Sequence, residues 1–159
     1  MAVNFWGVVN MSLAFLPLLR ERPASCLINI SSMGALSPVP GQSVYGASKA
    51  AVKLFTEGLY LELRRQTSVA VSVVFPGGVG TEIAQNSGSA MPDMDAKAAK
   101  LADRLTTPGK AAEIILKTVR SGAPRVRIGT DARWVDRFTR LAPRRAPEGV
   151  AALMAKMIK

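Results

Sequence analysis

The chain has 159 residues, enough for one domain with a real core, and with 48% hydrophobic and 6% aromatic residues it has an ordinary globular makeup. It has no histidine, which excludes His-based triads and the common His-containing zinc sites; no metal is expected. A single cysteine, Cys26, excludes an internal disulfide and fits a reducing, cytoplasmic compartment. The net charge of +10 is uneven: residues 1–80 carry six Lys/Arg against three Asp/Glu, and residues 81–159 carry fifteen against eight. The arginines of the second half (Arg133, Arg137, Arg140, Arg144, Arg145) are spread out. They read as a solvated helix face, with a phosphate-bearing ligand or an anionic surface as the alternative. Nucleic-acid binding is not expected.

The chain opens on "MAVNFWGVVNMSLAFLPLLRERPASC". No Lys or Arg precedes its apolar run, and Pro23 stands where a lipoprotein cleavage site would want Leu. No run reaches the roughly 18 apolar residues that span a bilayer, so no membrane is expected. The segment predicts an internal helix over Val3–Leu19, buried on more than one side and kinked or stopped by Pro17. "CLINIS", 26–31, reads as a buried strand, beside which Cys26 is a structural thiol. A Gly/Pro/Ser loop follows, then a long helix from about Ser43 to Arg65. "VAVSVVFPGG", 69–78, is a β-branched strand stopped by Pro76 and two glycines.

Residues 81–107 are small and polar and predict a mobile loop with a short helix around Asp95–Leu105; Met91 and Met94 pack there. "TPGKAAEIILKTVRSG", 107–122, is a helix with Thr107 as N-cap, Pro108 first in the helix and Gly122 beyond its end. "RVRIGT", 125–130, alternates like a strand, and the remainder is helical with interruptions at Pro143 and Pro147. Strands joined through helices imply a parallel α/β sheet, whose ligands bind beyond the carboxyl ends of the strands. Two of those ends carry distinctive chemistry: "SS" after the first strand and "PGGVGT" after the second.

"VYGASKAAVK", 44–53, places Tyr45 and Lys49 four apart, on one face of the long helix. Alone this is an ordinary surface pair. Chemically it is more: a free phenol titrates near about 10 and is a poor base at neutral pH, and a neighbouring ammonium favours the phenolate. Such a pair can exchange a proton with an alcohol or a carbonyl oxygen.

The run "INISSMGALSPVPGQSVYGASKAAVKLFTEGL", followed by "PGGVGT" after the next strand, resembles the active-site segment of the short-chain dehydrogenase/reductase (SDR) family. The resemblance runs from about Val3 to Gly129. It implies an NAD- or NADP-dependent oxidoreductase that interconverts a small alcohol and a carbonyl by hydride transfer. In that reading Tyr45 is the acid/base, and Lys49 tunes it and bonds the nicotinamide ribose. Ser32, thirteen residues before the tyrosine, orients the substrate oxygen, with Ser31 as the alternative. Asn4 supports a water relay to the lysine, unless it is a helix N-cap. Pro76, Gly77, Val79 and Thr81 line the nicotinamide pocket, with the Val79 backbone reading the carboxamide and Thr81 near the phosphates.

The family's TGxxxGxG loop, which holds the cofactor pyrophosphate, has no counterpart in the sequence, nor has the residue that chooses NAD or NADP. The expectation is therefore one N-terminally incomplete SDR-type domain over residues 1–159: a partial Rossmann-like, doubly wound parallel sheet. Its first strand should have an unpaired apolar edge. The chain should be marginally stable or homo-oligomeric, pairing through helices 3–19 and 43–65, and should bind dinucleotide weakly. The alternative is a catalytically silent module that acts by oligomerisation.

Overall fold

β-Branched and apolar residues in "SCLINI" and "VAVSVVFP" favour two strands buried on both faces. In the computed structural model, which describes residues 1–65, 68–81 and 105–158, they form β1 (Ser25–Ile30) and β2 (Val69–Pro76). The third strand is β3 (Arg125–Ile128). All pairing is parallel, in the order β1-β2-β3, with Ser25 opposite Val69 at one end and Pro76 opposite Ile128 at the other. Helices connect and cover the strands: α1 (Val8–Arg20), continuous with a π-helical stretch Ala2–Gly7, then α2 (Ser43–Leu63), α3 (Pro108–Ser121), α4 (Thr130–Leu141) and α5 (Ala146–Ile158).

Alternation along β2 sends side chains to two cores. Val69 and Val71 join Leu16, Leu59 and Leu63 under α1 and α2. Val74 joins Ala111 and Ile128 under α3. Layers on both faces make this the doubly wound arrangement that the sequence predicts. Thr107 caps α3 by accepting from the Lys110 N–H, and Gly122 closes it in the left-handed region at φ 61°. β1 has no partner on its far edge among the described residues, and a groove of about 660 Å³ runs along it, lined by Val8, Met11, Phe15, Leu19, Ile28 and Lys49 among others. Cys26 is half-buried on this edge; burial pushes its thiol pKa up, against a lowering contact from Ser72. Trp6, Phe15, Leu54 and Leu61 are exposed on the first two helices.

Four expectations need correction. Pro17 does not stop the first helix, which runs on to Arg20. With three residues beyond it, the loss of one backbone donor falls close to the end, where the ladder is weakest. Pro147 does not interrupt the last helix but is its second residue, a position that needs no N–H. The first helix, Ala2–Arg20, is 19 residues long, and an 18-residue window within it has mean hydropathy 1.6, which meets the length and composition needed to cross a bilayer. Its polar Asn4, Asn10 and Ser12 break a strictly apolar count without lowering the mean below that level. In the fold it lies on β1 and, contrary to the expected burial on more than one side, buries a single stripe, Val9, Ser12 and Leu16, while Met11, Leu13, Phe15 and Leu18 are exposed. The short helix expected around Asp95–Leu105, and Met91 and Met94, lie outside the described residues apart from Leu105.

Candidate active site

The carboxyl ends of β1 and β2 meet the N-terminal half of α2. Ser31, buried, continues β1 and donates from Oγ to the carbonyl of Lys49 at 2.8 Å. That bond takes up its hydroxyl and ties α2 to the strand. Ser32, the next residue, accepts from the Gly34 N–H at 3.1 Å and so caps the short turn Met33–Ala35. The Tyr45 ring packs on the same turn. A Cβ placed on Gly34 would stand 3.6 Å from both Ser32 Oγ and Tyr45 Cε1, so serine and phenol share one small neighbourhood. Gly46 lets this happen: its own Cβ position is 3.0 Å from the Gly34 carbonyl, and a larger residue would hold the helix off the turn. Tyr45 is exposed.

Lys49 follows one turn later. Its Nζ donates to the Ile30 carbonyl at 3.2 Å, at the end of β1, and partial burial pulls its pKa below the ordinary lysine value. Asn4 Nδ2 donates to Ser48 Oγ at 3.3 Å, and Ser48 Oγ donates to the Tyr45 carbonyl at 2.7 Å. The N-cap of the first helical stretch is Met1, so the N-cap alternative for Asn4 falls; it bridges to α2 at Ser48, next to Lys49.

The "PGGVGT" loop is held from two sides. Gly77 N–H donates to the Ile128 carbonyl at 2.9 Å. Thr106 N–H donates to the Gly78 carbonyl at 2.9 Å, and Gly80 N–H to the Thr106 carbonyl at 3.0 Å. These bonds flank Val79, whose own N–H has no partner among the described residues. Thr81 is exposed, and its N–H folds back to the Val79 carbonyl at 2.9 Å. No group of three or more potential metal ligands occurs among the described residues.

The model of the short chain dehydrogenase family matches residues 1–92. The chain belongs to that family. It is 40% identical over 158 residues to a Mycobacterium tuberculosis protein provisionally named oxidoreductase SadH, which covers 97% of this chain and 57% of the relative. It is 45% identical over 87 residues to human 17-beta-hydroxysteroid dehydrogenase type 2, covering 55% of this chain and 22% of that protein. Among solved structures, a Burkholderia cenocepacia short chain dehydrogenase in complex with NADP superposes at TM-score 0.72 and 29% identity, over 99% of this chain and 58% of that one. A Burkholderia phymatum family member in complex with NAD superposes at TM-score 0.71 and 22% identity, over 87% of this chain and 55% of that one, which supports the fold. The chain thus spans somewhat over half the length of these longest matches.

Two supports of this candidate site are not evident from its motifs. Asp131, in the first turn of α4, accepts from the Gly78 N–H at 2.6 Å and from the Ala132 N–H at 2.8 Å. Its carboxylate fills the space that a Cβ on Gly77 or on Gly129 would need, and Gly129 (φ 95°) makes the turn that brings it there. The available signal is an acid just after a glycine at a helix start, where the dipole favours negative charge. The second support is Asn29. Buried on β1, it donates to Ser12 of α1 at 3.2 Å and to Thr56 of α2 at 3.1 Å, fixing both helices against the strand.

Proposed function

We propose that this chain carries the catalytic residues of an NAD(P)-dependent oxidoreductase that interconverts an alcohol and a carbonyl compound. The observation that carries the reading is the convergence of Ser32 Oγ and the Tyr45 ring on Gly34, one helical turn from a lysine fixed at the end of β1. The cofactor preference is left as NAD or NADP, the pair bound in the two solved relatives.

The residues fit a nicotinamide group on three counts. Val79 offers a backbone N–H that has no partner among the described residues and is suited to a carboxamide oxygen. Pro76 and Gly77 present little side-chain bulk beside it, and Gly77 is held by Ile128. Lys49 keeps donors free beyond the one given to Ile30, enough for ribose hydroxyls. The bound nicotinamide supplies the hydride donor or acceptor. Everything else falls to this chain. Ser32 donates to the substrate oxygen and fixes its position. Tyr45 gives that oxygen a proton in reduction and takes one in oxidation. The Lys49 ammonium supports the negative charge left on the tyrosine oxygen. Asn4, through Ser48, holds the helix on which both stand.

The test is turnover of an alcohol and carbonyl panel with either nicotinamide cofactor, run beside direct measurement of nucleotide binding. Tyr45→Phe should lower turnover by about 10²–10⁴-fold, the range for general acid–base catalysis, with nucleotide affinity unchanged. Undiminished turnover in that variant, measured in a full-length version that carries a pyrophosphate-binding half because this chain alone is expected to be inactive, defeats the assignment.

A further inference from the structure

The arginines of β3 and α4 take no part in the site above, yet they are organised. Asp136 of α4, buried, accepts from Arg125 Nη2 at 2.7 Å, from Arg127 Nη1 at 3.1 Å and from Arg140 Nε at 3.1 Å. Arg125 also pairs with Glu57 and lies 4.7 Å over the Phe75 ring. Both strand arginines are therefore held in place by contacts within the protein, and the carboxylate that holds them already accepts three bonds. The guanidinium groups of Arg133 and Arg137, one turn apart on the same helix, have no ion-pair or hydrogen-bond partner among the described residues.

These groups line one open pocket of about 380 Å³ at the outer edge of the sheet: Arg125, Arg127, Arg133, Arg137 and Asp136, floored by Ile114 and Val126. None of them belongs to the Ser32–Tyr45–Lys49 group or to the Gly77–Thr81 loop. Four guanidinium groups against one carboxylate leave the lining at a formal +3. Like charges four apart on a helix repel, and the one acid available to relieve them is already shared three ways. Guanidinium groups match phosphate oxygens in paired, planar contacts. Arg127, held by Asp136, is fixed beforehand, which lowers the ordering cost of binding there.

We propose that this pocket binds a small polyanionic phosphate compound, a pyrophosphate or a phosphate ester of similar charge, through Arg127, Arg133 and Arg137. The site is independent of the dehydrogenase chemistry. Isothermal titration of the full 159-residue chain with inorganic pyrophosphate tests it. The wild type should show saturable one-site binding. Arg133→Ala/Arg137→Ala should weaken it at least about tenfold, the loss of two charge-assisted contacts. Both side chains are exposed, so the fold should survive, as circular dichroism would verify. Arg20→Ala/Arg22→Ala, which removes equal charge from another exposed segment, should leave binding unchanged. Absence of saturable binding, equal weakening in both double variants, or sulfate binding as tightly as pyrophosphate would each overturn the proposal.

Discussion

Gly77→Ala gives a stringent test of how the "PGGVGT" loop is held. Gly77 lies outside the left-handed region, so alanine suits its backbone, and by restricting the unfolded chain it should stabilise by about 0.4–1 kcal/mol. The structure predicts the opposite sign. The three atoms nearest the new methyl all belong to the Asp131 carboxylate, which must move. Moving it gives up the 2.6 Å bond from Gly78 N–H, a charge-assisted contact of about 1.5–3 kcal/mol. It also weakens the carboxylate's interaction with the start of α4, about 0.3–1 kcal/mol. The net cost is about 1–3 kcal/mol. In an Asp131→Ala background that obstruction is gone, and Gly77→Ala should cost little. A double-mutant cycle by urea denaturation should thus give a coupling of about 2 kcal/mol, or about 4–8 °C in Tm for a chain of this size. If Gly77→Ala costs the same in both backgrounds, the glycine is not there to admit the carboxylate, and the account of the loop fails.

Two further outcomes follow from the buried polar groups. At Asp136, burial pushes the carboxyl pKa up, but hydrogen bonds and charge from Arg125 and Arg140 outweigh it and hold the group below its ordinary value. Its contribution is therefore fully present above the unfolded carboxylate pKa and is lost as pH falls through the lower folded value. Asp136→Asn should cost about 3 kcal/mol near neutrality, and the gap to wild type should narrow in acid; a pH-independent gap in urea melts would count against the arginine cluster. Asn29→Ala should cost about 1–3 kcal/mol in the same assay by stranding Ser12 and Thr56, and a variant as stable as wild type would show that the triad is replaceable.

The order of elements was legible because each carries a strong local signal. Thr107, Pro108 and Gly122 bound one helix, and the valines of 69–75 mark a strand with two buried faces. Spacing alone placed Tyr45 and Lys49 on one helix face, whereas the choice of Ser32 beside them came from the family resemblance. The sequence was less informative where a residue's role depends on a distant partner. From the sequence Asn4 reads as support for a water relay to the lysine or as a helix cap, and neither reading names its partner Ser48, 44 positions away. Asp131 acts on a glycine 53 positions earlier, and no local pattern joins the two. Prolines misled for a related reason: Pro17 and Pro147 both break helices in principle, but each sits where few backbone bonds remain to be broken.

The same contacts show why α4 matters to a site it does not line. Its first turn presents Asp131 to the Gly78 N–H at the carboxyl ends of the strands, and five residues on it presents Asp136 to the arginines of β3. Asp131 meets the Gly78 N–H and Asp136 the β3 guanidinium groups, while Arg133 and Arg137 are exposed beside them, so one helix places its charges by what they neutralise. Acids stand where fixed N–H groups and guanidinium groups need acceptors, and unpaired arginines stand where the sheet ends. Such a division accounts for a strongly basic segment that nevertheless buries an acid. It also separates two kinds of loss: removing Asp131 should disturb the Gly77–Thr81 loop and spare the arginine pocket, whereas removing Arg133 and Arg137 should do the reverse.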